Sequence, residues 1–348
     1  MKSSIFVFFK KFLTCLTFVT MILLSNFVSA SPANYNAQHI VIMEVNSAIS
    51  PGAITYLESG FARLNKLDRP LAIIKLDTPG GLLSITHKIM KLITTAKAPV
   101  VIWITPEGAL AGSAGAIISS SAHFLYMTPG TSIGAATPII AHSGEDIQTD
   151  SKKKIVNSLV SQVKSLSKLR NRKSSGFEEM ITKAKSFTAK ESLKAGFIDG
   201  VTQNLEEVIA ALNGKKFSLQ GKEFTLQVNS SVKQINFNKG LGQKLIDILT
   251  HPSVSYFFLI LGLLLLYWEL LTPGGVVAGS IGSIFVLLAA ISMYMIPINW
   301  GGLALIILAT FLFVLELFIT SYGILTIGGL TSLIVGSLYL YRTEEAYI

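Results

Sequence analysis

The sequence predicts a two-part chain: an α/β domain with a mostly parallel sheet, followed by a polytopic α-helical membrane domain. Three observations lead there. Short continuous apolar runs alternate with amphipathic segments and Gly/Pro turns between Ser31 and Gly130. From Ser253 onward, apolar stretches follow one another with almost no charge. Half of the 348 residues are apolar, only 14% are charged, and the mean hydropathy is +0.56. That much apolar surface excludes disorder. The single cysteine, Cys15, excludes a disulfide scaffold. The histidines (His39, His87, His123, His142, His251) are scattered, with no Cys/His zinc spacing, so no metal is expected.

Residues 1–30 read as a secretory signal peptide. Lys2, Lys10 and Lys11 form the basic start, an apolar run covers 12–27, and Val28-Ser29-Ala30 supplies the small residues of a cleavage site. An uncleaved anchor is the competing reading. Cleavage leaves no cysteine, which is compatible with an oxidising compartment.

In the soluble domain, expected over 31–235, residues 39–46 form a strand and Ser50-Pro51-Gly52 a turn, with a helix over 53–67. Residues 71–76 are a continuous apolar strand of the kind buried on both faces of a sheet. Asp77-Thr78-Pro79-Gly80-Gly81 ends it, and a helix follows over 83–95. Residues 99–104 make the next strand, 108–115 a small-residue turn opening a helix to Ser121, and 124–127 a further strand closed by Pro129-Gly130. A linker covers 236–252.

The membrane domain, 253–348, holds about four apolar stretches: 254–271, 277–297, 302–319 and 324–341. Trp268, Tyr294, Trp300, Tyr339 and Tyr341 lie near their ends, as in aromatic belts. Glu269 and Glu316 each precede a turn and a Gly-rich apolar run, which marks an internal repeat. A carboxylate there caps a helix, meets water or pairs with a polar group. Gly279, Gly282, Gly328, Gly329 and Gly336 allow close helix approach. The net charge of +9 resides in 31–251, whereas 252–348 is acidic. This distribution argues against nucleic acid and fits either anionic lipid head groups, an acidic partner, or merely a soluble basic surface. The inter-span loops carry too little Lys/Arg to set orientation, so the leader sets it and places 31–251 outside the cytoplasm.

Two Gly-rich elements fall at C-terminal ends of strands, where α/β folds bind ligands: 77–81 and 108–115. Neither has a dinucleotide or P-loop spacing, so no cofactor is expected. What remains is Ser113 at a tight strand-to-helix turn. Small neighbours admit a carbonyl, and a helix start offers unpaired N–H groups to an oxyanion. The bland reading is close helix packing. His123, His142 and Asp77 read as structural or solvated groups.

Together the residues resemble the NfeD family, the stomatin-operon partner membrane proteases related to Clp-type and signal-peptide-peptidase serine proteases. The resemblance rests on Leu76-Asp77-Thr78-Pro79-Gly80-Gly81, Ala111-Gly112-Ser113-Ala114-Gly115 and the block 127–139. It continues through Lys154-Ile155-Val156-Asn157, Leu169-Arg170-Asn171-Arg172 and the block 188–199. It implies a Clp/crotonase-like fold and a Ser/Lys dyad, with Ser113 as nucleophile, Lys154 as general base, and the N–H groups of Gly81 and Ala114 as oxyanion hole. A serine hydroxyl needs a base, and a lysine serves only when its surroundings keep the amine neutral near working pH. The implied function is endoproteolysis of apolar peptide segments in membrane-protein quality control. The implied partners are a stomatin/SPFH-like protein, the bilayer and further copies of the chain.

Helical periodicity sets Ile155, Leu159, Val163 and Leu166 on one side, with Lys152, whereas Lys154 projects almost opposite. Lys154 can still serve if the helix starts after it, leaving it on a flexible polar segment over 141–153. The family's usual acidic residue after Asn157 is Ser158 here, and the family's frequent C-terminal β-barrel is not expected within the residues that follow Tyr341. Competing readings are a non-catalytic membrane scaffold, a crotonase-type acyl-CoA enzyme, and a transporter built on Glu269 and Glu316.

Overall fold

A computed structural model describes residues 32–140, 149–249, 251–272, 276–295, 298–341 and 346–347. The signal-peptide reading of 1–30 and the reading of His142 lie outside the described residues.

The soluble domain alternates strands and helices in the expected order: β1 (Ala33–Val45), α1 (Pro51–Leu64), β2 (Pro70–Leu76), α2 (Leu83–Thr94), β3 (Val100–Ile104), β4 (Leu110–Gly112), α3 (Ala114–Ser121) and β5 (Phe124–Met127). Next come β6 (Ser132–Gly134), β7 (Ile139–Ile140), α4 (Thr149–Leu169), α5 (Ser175–Thr182), β8 (Ser186–Thr188), α6 (Ala189–Ala195), β9 (Gly200–Val201), α7 (Leu205–Leu212), β10 (Lys216–Leu219) and β11 (Lys222–Phe237). A seven-stranded sheet runs β10-β11-β1-β2-β3-β5-β9, parallel except at the β10–β11 hairpin. A smaller sheet, β4-β6-β8, lies at the C-terminal ends of the central strands.

The apolar runs of β2 and β3 are explained by cover on both faces. Alternate residues pack oppositely. Val41, Met43, Ile74, Ile102 and Leu125 meet α1, α2 and α3, whereas Ile40, Leu71, Ile73, Val101 and Phe124 meet α7 and the β10–β11 hairpin. Each such fully buried side chain contributes about 1.5–3 kcal/mol, which fixes the strand ends that carry the site.

Two boundaries differ from expectation. The linker over 236–252 contains the end of β11 and an amphipathic helix, α8 (Leu241–Leu249), which packs on α1 and is tied down by the Lys239–Asp247 ion pair at 2.6 Å. And α4 starts at Thr149, so Lys154 lies in its second turn rather than on a loop before it. The run Thr149–Lys154 is polar because it is a solvated helix start, with Lys153 paired to Asp150 at i,i+3.

The helical region consists of two hairpins, α9 (Pro252–Leu271) with α10 (Val277–Met295), and α11 (Trp300–Glu316) with α12 (Ile324–Tyr339). At 1.5 Å per residue α9 and α10 reach about 30 Å, the thickness of a hydrocarbon core, while α11 and α12 reach about 25 Å. Two helices among the described residues are thus long and apolar enough to span. Leu264, Leu287, Phe311 and Leu338 point outward from the hairpins, an apolar surface that suits lipid rather than water. Trp268, Tyr294 and Trp300 are exposed at helix ends, as expected of a belt.

The repeat extends to its hydrogen bonds. Glu269 accepts from the Gly279 N–H (3.0 Å), and Glu316, its counterpart in the second hairpin, accepts from the Thr326 N–H (3.1 Å), the Gly323 N–H and the Ser321 hydroxyl. Each carboxylate thus caps the start of the following helix. A Cβ on Gly282 would lie 2.8 Å from Gly262 O, and one on Gly336 would lie 2.8 Å from Gly302 O, so these glycines do set close approach. Gly328 has only ordinary contacts.

Candidate active site

The two Gly-rich turns are stitched together. The Thr78 N–H donates to Leu110 O (2.7 Å) and the Gly112 N–H to Thr78 O (2.8 Å), around a bridge between Thr78 and Ala111. The Leu110 N–H donates to Asp77 Oδ1 (3.0 Å), so Asp77 is the turn former expected of it. Only glycine fits at 112, where a Cβ would meet Pro79 O at 2.8 Å.

Ser113 sits at the joint between β4 and α3 with φ 53° and ψ −109°, a conformation unfavourable for a non-glycine residue by about 1–3 kcal/mol. Bonds on both sides hold it there. Its N–H donates to Gly134 O (2.7 Å), and its carbonyl accepts from the N–H groups of Ala116 (3.1 Å) and Ile117 (3.3 Å). The turn sets a half-buried serine at the tip of α3.

Two N–H groups adjoin this turn. Ala114 is the first residue of α3, so its N–H has no acceptor within the helix. Gly81 forms a parallel bridge with Ile49, but such a bridge uses the neighbours' groups: the Ile49 N–H donates to Gly80 O (2.8 Å) and the Leu82 N–H to Ile49 O (3.0 Å). The N–H and carbonyl of Gly81 itself therefore face away from Ile49. The sequence-predicted Ser113, Gly81 and Ala114 are thus brought to one end of the sheet.

Lys154 is less closely placed. The α4 helix packs against α3, with Leu159 and Val163 fully buried and Ile155 and Leu166 partly so, as periodicity predicts. Lys154 is exposed on the far side, and among the described residues no hydrogen bond joins it to Ser113. Lys152 is half-buried on the apolar side and engaged in an interaction of its own.

His123 is structural: Nδ1 accepts from the Val100 N–H (3.1 Å), and burial, then the charges of Arg170 and Arg172, hold its pKa well below the usual imidazole value. Sequence reasoning missed the arginine clamp behind α3. Arg172 donates to Ala122 O (2.9 Å), His123 O (3.0 Å) and Asp199 Oδ2 (2.5 Å), while Arg170 Nε donates to Ser121 O (3.3 Å). These guanidinium groups gather the carbonyls at the end of the helix that Ser113 begins. The signal was two arginines in an otherwise ordinary helix end, which spacing alone does not distinguish from surface charge.

Comparison with known proteins assigns both halves. A model of the NfeD1b N-terminal domain matches residues 39–222, and one of the NfeD integral membrane domain matches 253–348. Membrane-bound protease PH1510 of Pyrococcus horikoshii is 36% identical over 277 residues, 79% of this chain and 63% of that protein. The chain therefore spans less than two thirds of that relative's length. Membrane protein NfeD1b of Bacillus subtilis is 24% identical over 321 residues, 88% of this chain and 68% of that one. Among solved structures, the 1510-N membrane-bound stomatin-specific protease superposes with a TM-score of 0.55 at 31% identity as a lysine-to-alanine mutant holding a substrate peptide, covering 60% of this chain and 96% of that one. Its serine-to-alanine mutant gives a TM-score of 0.54 at 30% identity, covering 59% and 99%. A family match over both the α/β domain and the helical region makes this chain a membrane protein of the NfeD family.

Proposed function

We propose that this chain is a membrane-bound serine endopeptidase with Ser113 as nucleophile. The single observation that carries the reading is the strained Ser113 turn, set beside the N–H groups of Ala114 and Gly81, for which no acceptor lies among the described residues. The mutated relative supports Lys154 as its base: the serine and the lysine changed there stand as far apart in sequence as Ser113 and Lys154 do here.

In the reaction, Lys154 Nζ in its neutral form takes the Ser113 proton as Oγ bonds to the scissile carbonyl carbon. The carbonyl oxygen becomes an oxyanion held by the Gly81 and Ala114 N–H groups. Collapse breaks the C–N bond, the lysine returns its proton to the leaving amine, and water repeats the cycle on the acyl-enzyme. This requires the first turns of α4 to carry Lys154 into hydrogen-bond reach, since catalytic contacts tighten in the substrate complex. Substrates are extended apolar segments. By analogy with the stomatin-specific relative, the partner is a stomatin/SPFH-like membrane protein. The leader sends the α/β domain out of the cytoplasm, both hairpins cross the bilayer, and the chain assembles with further copies.

The exposed position of Lys154 favours one second reading, a non-catalytic scaffold for such a partner. The intact chain in detergent, offered quenched-fluorescent apolar peptides, separates the two. The peptidase reading expects cleavage abolished by Ser113→Ala. A scaffold expects no serine-dependent cleavage.

A further inference from the structure

We infer that the chain's own segment Ala346–Tyr347 occupies the edge where an extended substrate docks, so that substrate must displace it. The inference rests on the peptidase reading and deepens it. The segment forms strand β12, paired antiparallel with β7 in the register Ala346↔Ile140 and Tyr347↔Ile139. Among the described residues, β7 pairs with nothing else, so without β12 it is an open apolar edge.

β12 also lies against α2, the helix that follows Gly81-Leu82. The segment is therefore flanked by β7 on one side and by α2, the helix that follows Gly81, on the other. An extended peptide presented to Ser113 and using the outward N–H and carbonyl of Gly81 would run through this same space.

The topology delivers the segment there. Each helical hairpin returns the chain to the side it left. The end of α12 is held beside the start of α9, next to the soluble domain, by the bond from Tyr256 Oη to Ser337 Oγ (2.8 Å). The Asn299 N–H donates to Leu340 O (2.7 Å) at the same level, and the Ser292 hydroxyl donates to Leu249 O at the end of α8.

The full-length chain in lipid nanodiscs tests this in two ways. The first reads docking without catalysis. In a Cys15→Ala, Ser113→Ala background, the pair Ile139→Cys and Tyr347→Cys stands directly across an antiparallel ladder, within disulfide reach. Mild oxidation should close it within one chain, and an added apolar peptide should suppress it. No cross-link, a cross-link between chains, or one insensitive to peptide overturns the inference. The second reads competition: deleting residues 346–348 should lower KM for an apolar peptide several-fold with kcat little changed, and Ala346→Pro, which removes a backbone donor, should do the same. An unchanged KM overturns it. If no variant cleaves any peptide, the peptidase reading fails, while the cross-link still decides whether the segment docks.

Discussion

Adding one methyl group at Gly81 tests the proposed oxyanion hole. The new Cβ would lie 2.2 Å from Ile49 O, 2.7 Å from its N and 2.8 Å from its carbonyl carbon. Ordinary contact begins near 3.4 Å, so the loop must retreat by about 1 Å. Ile49 cannot yield instead, because its N–H and carbonyl are both bonded in the bridge, each bond worth about 1 kcal/mol. The Gly81 N–H moves with the loop. A misplacement of about 1 Å costs roughly 10²-fold in rate, and loss of one oxyanion donor costs about 10²–10³ in kcat, or about 2.7–4 kcal/mol. Gly81→Ala should therefore lower kcat of the intact chain by about two orders of magnitude with KM nearly unchanged, since the donor acts on the transition state. Gly242→Ala, on α8 with nothing near its new Cβ, should be silent. Wild-type kcat in a natively folded Gly81→Ala protein would refute the assignment of this N–H.

Three further outcomes follow from the surroundings of the site. Arg172→Met leaves two helix-end carbonyls without their donor and Asp199 with only the Leu125 N–H, and should cost about 3–5 kcal/mol of stability, read as a lowered thermal midpoint; Asp199→Asn, which keeps an acceptor, should cost less. His123 has a folded pKa depressed by burial and by the two arginines, so its contribution to stability is complete above the unfolded value of about 6.5 and is lost as pH falls below it. His123→Asn should flatten that acid slope in thermal melts. Glu316→Ala removes the acceptor for three donors and should destabilise the α11–α12 hairpin by about 1–2 kcal/mol, more than Glu269→Ala does to α9–α10, as measured by thermal unfolding in detergent.

Much of this architecture was legible because burial writes long patterns. The doubly covered strands β2 and β3 read as unbroken apolar runs, and their turns read from Gly and Pro. The Ser113 turn was visible through its small neighbours, although its positive φ is held by Gly134, on a different strand, and no local pattern reports that. The strands β4, β6 and β8 are too short for any period to show. The pairing of β11 with β1 was missed although Phe224, Leu226 and Val228 alternate at strand period, because no local pattern reports a partner strand so distant in sequence. The start of α4 was misjudged for a related reason: its first turns carry charge, and a solvated helix start and a polar loop have the same composition. The carboxylates at Glu269 and Glu316 were located by sequence, but their distinct hydrogen-bond partners emerged only in three dimensions.

Catalysis here turns on a hydroxyl made nucleophilic by an amine that stands apart from it in the resting structure. Cleavage of an apolar peptide by the intact chain, compared across Ser113→Ala, Lys154→Ala and Lys152→Ala, tests this most directly. The account predicts that the first two fall to background while Lys152→Ala stays active. Full activity in Lys154→Ala, or loss in Lys152→Ala alone, would contradict it.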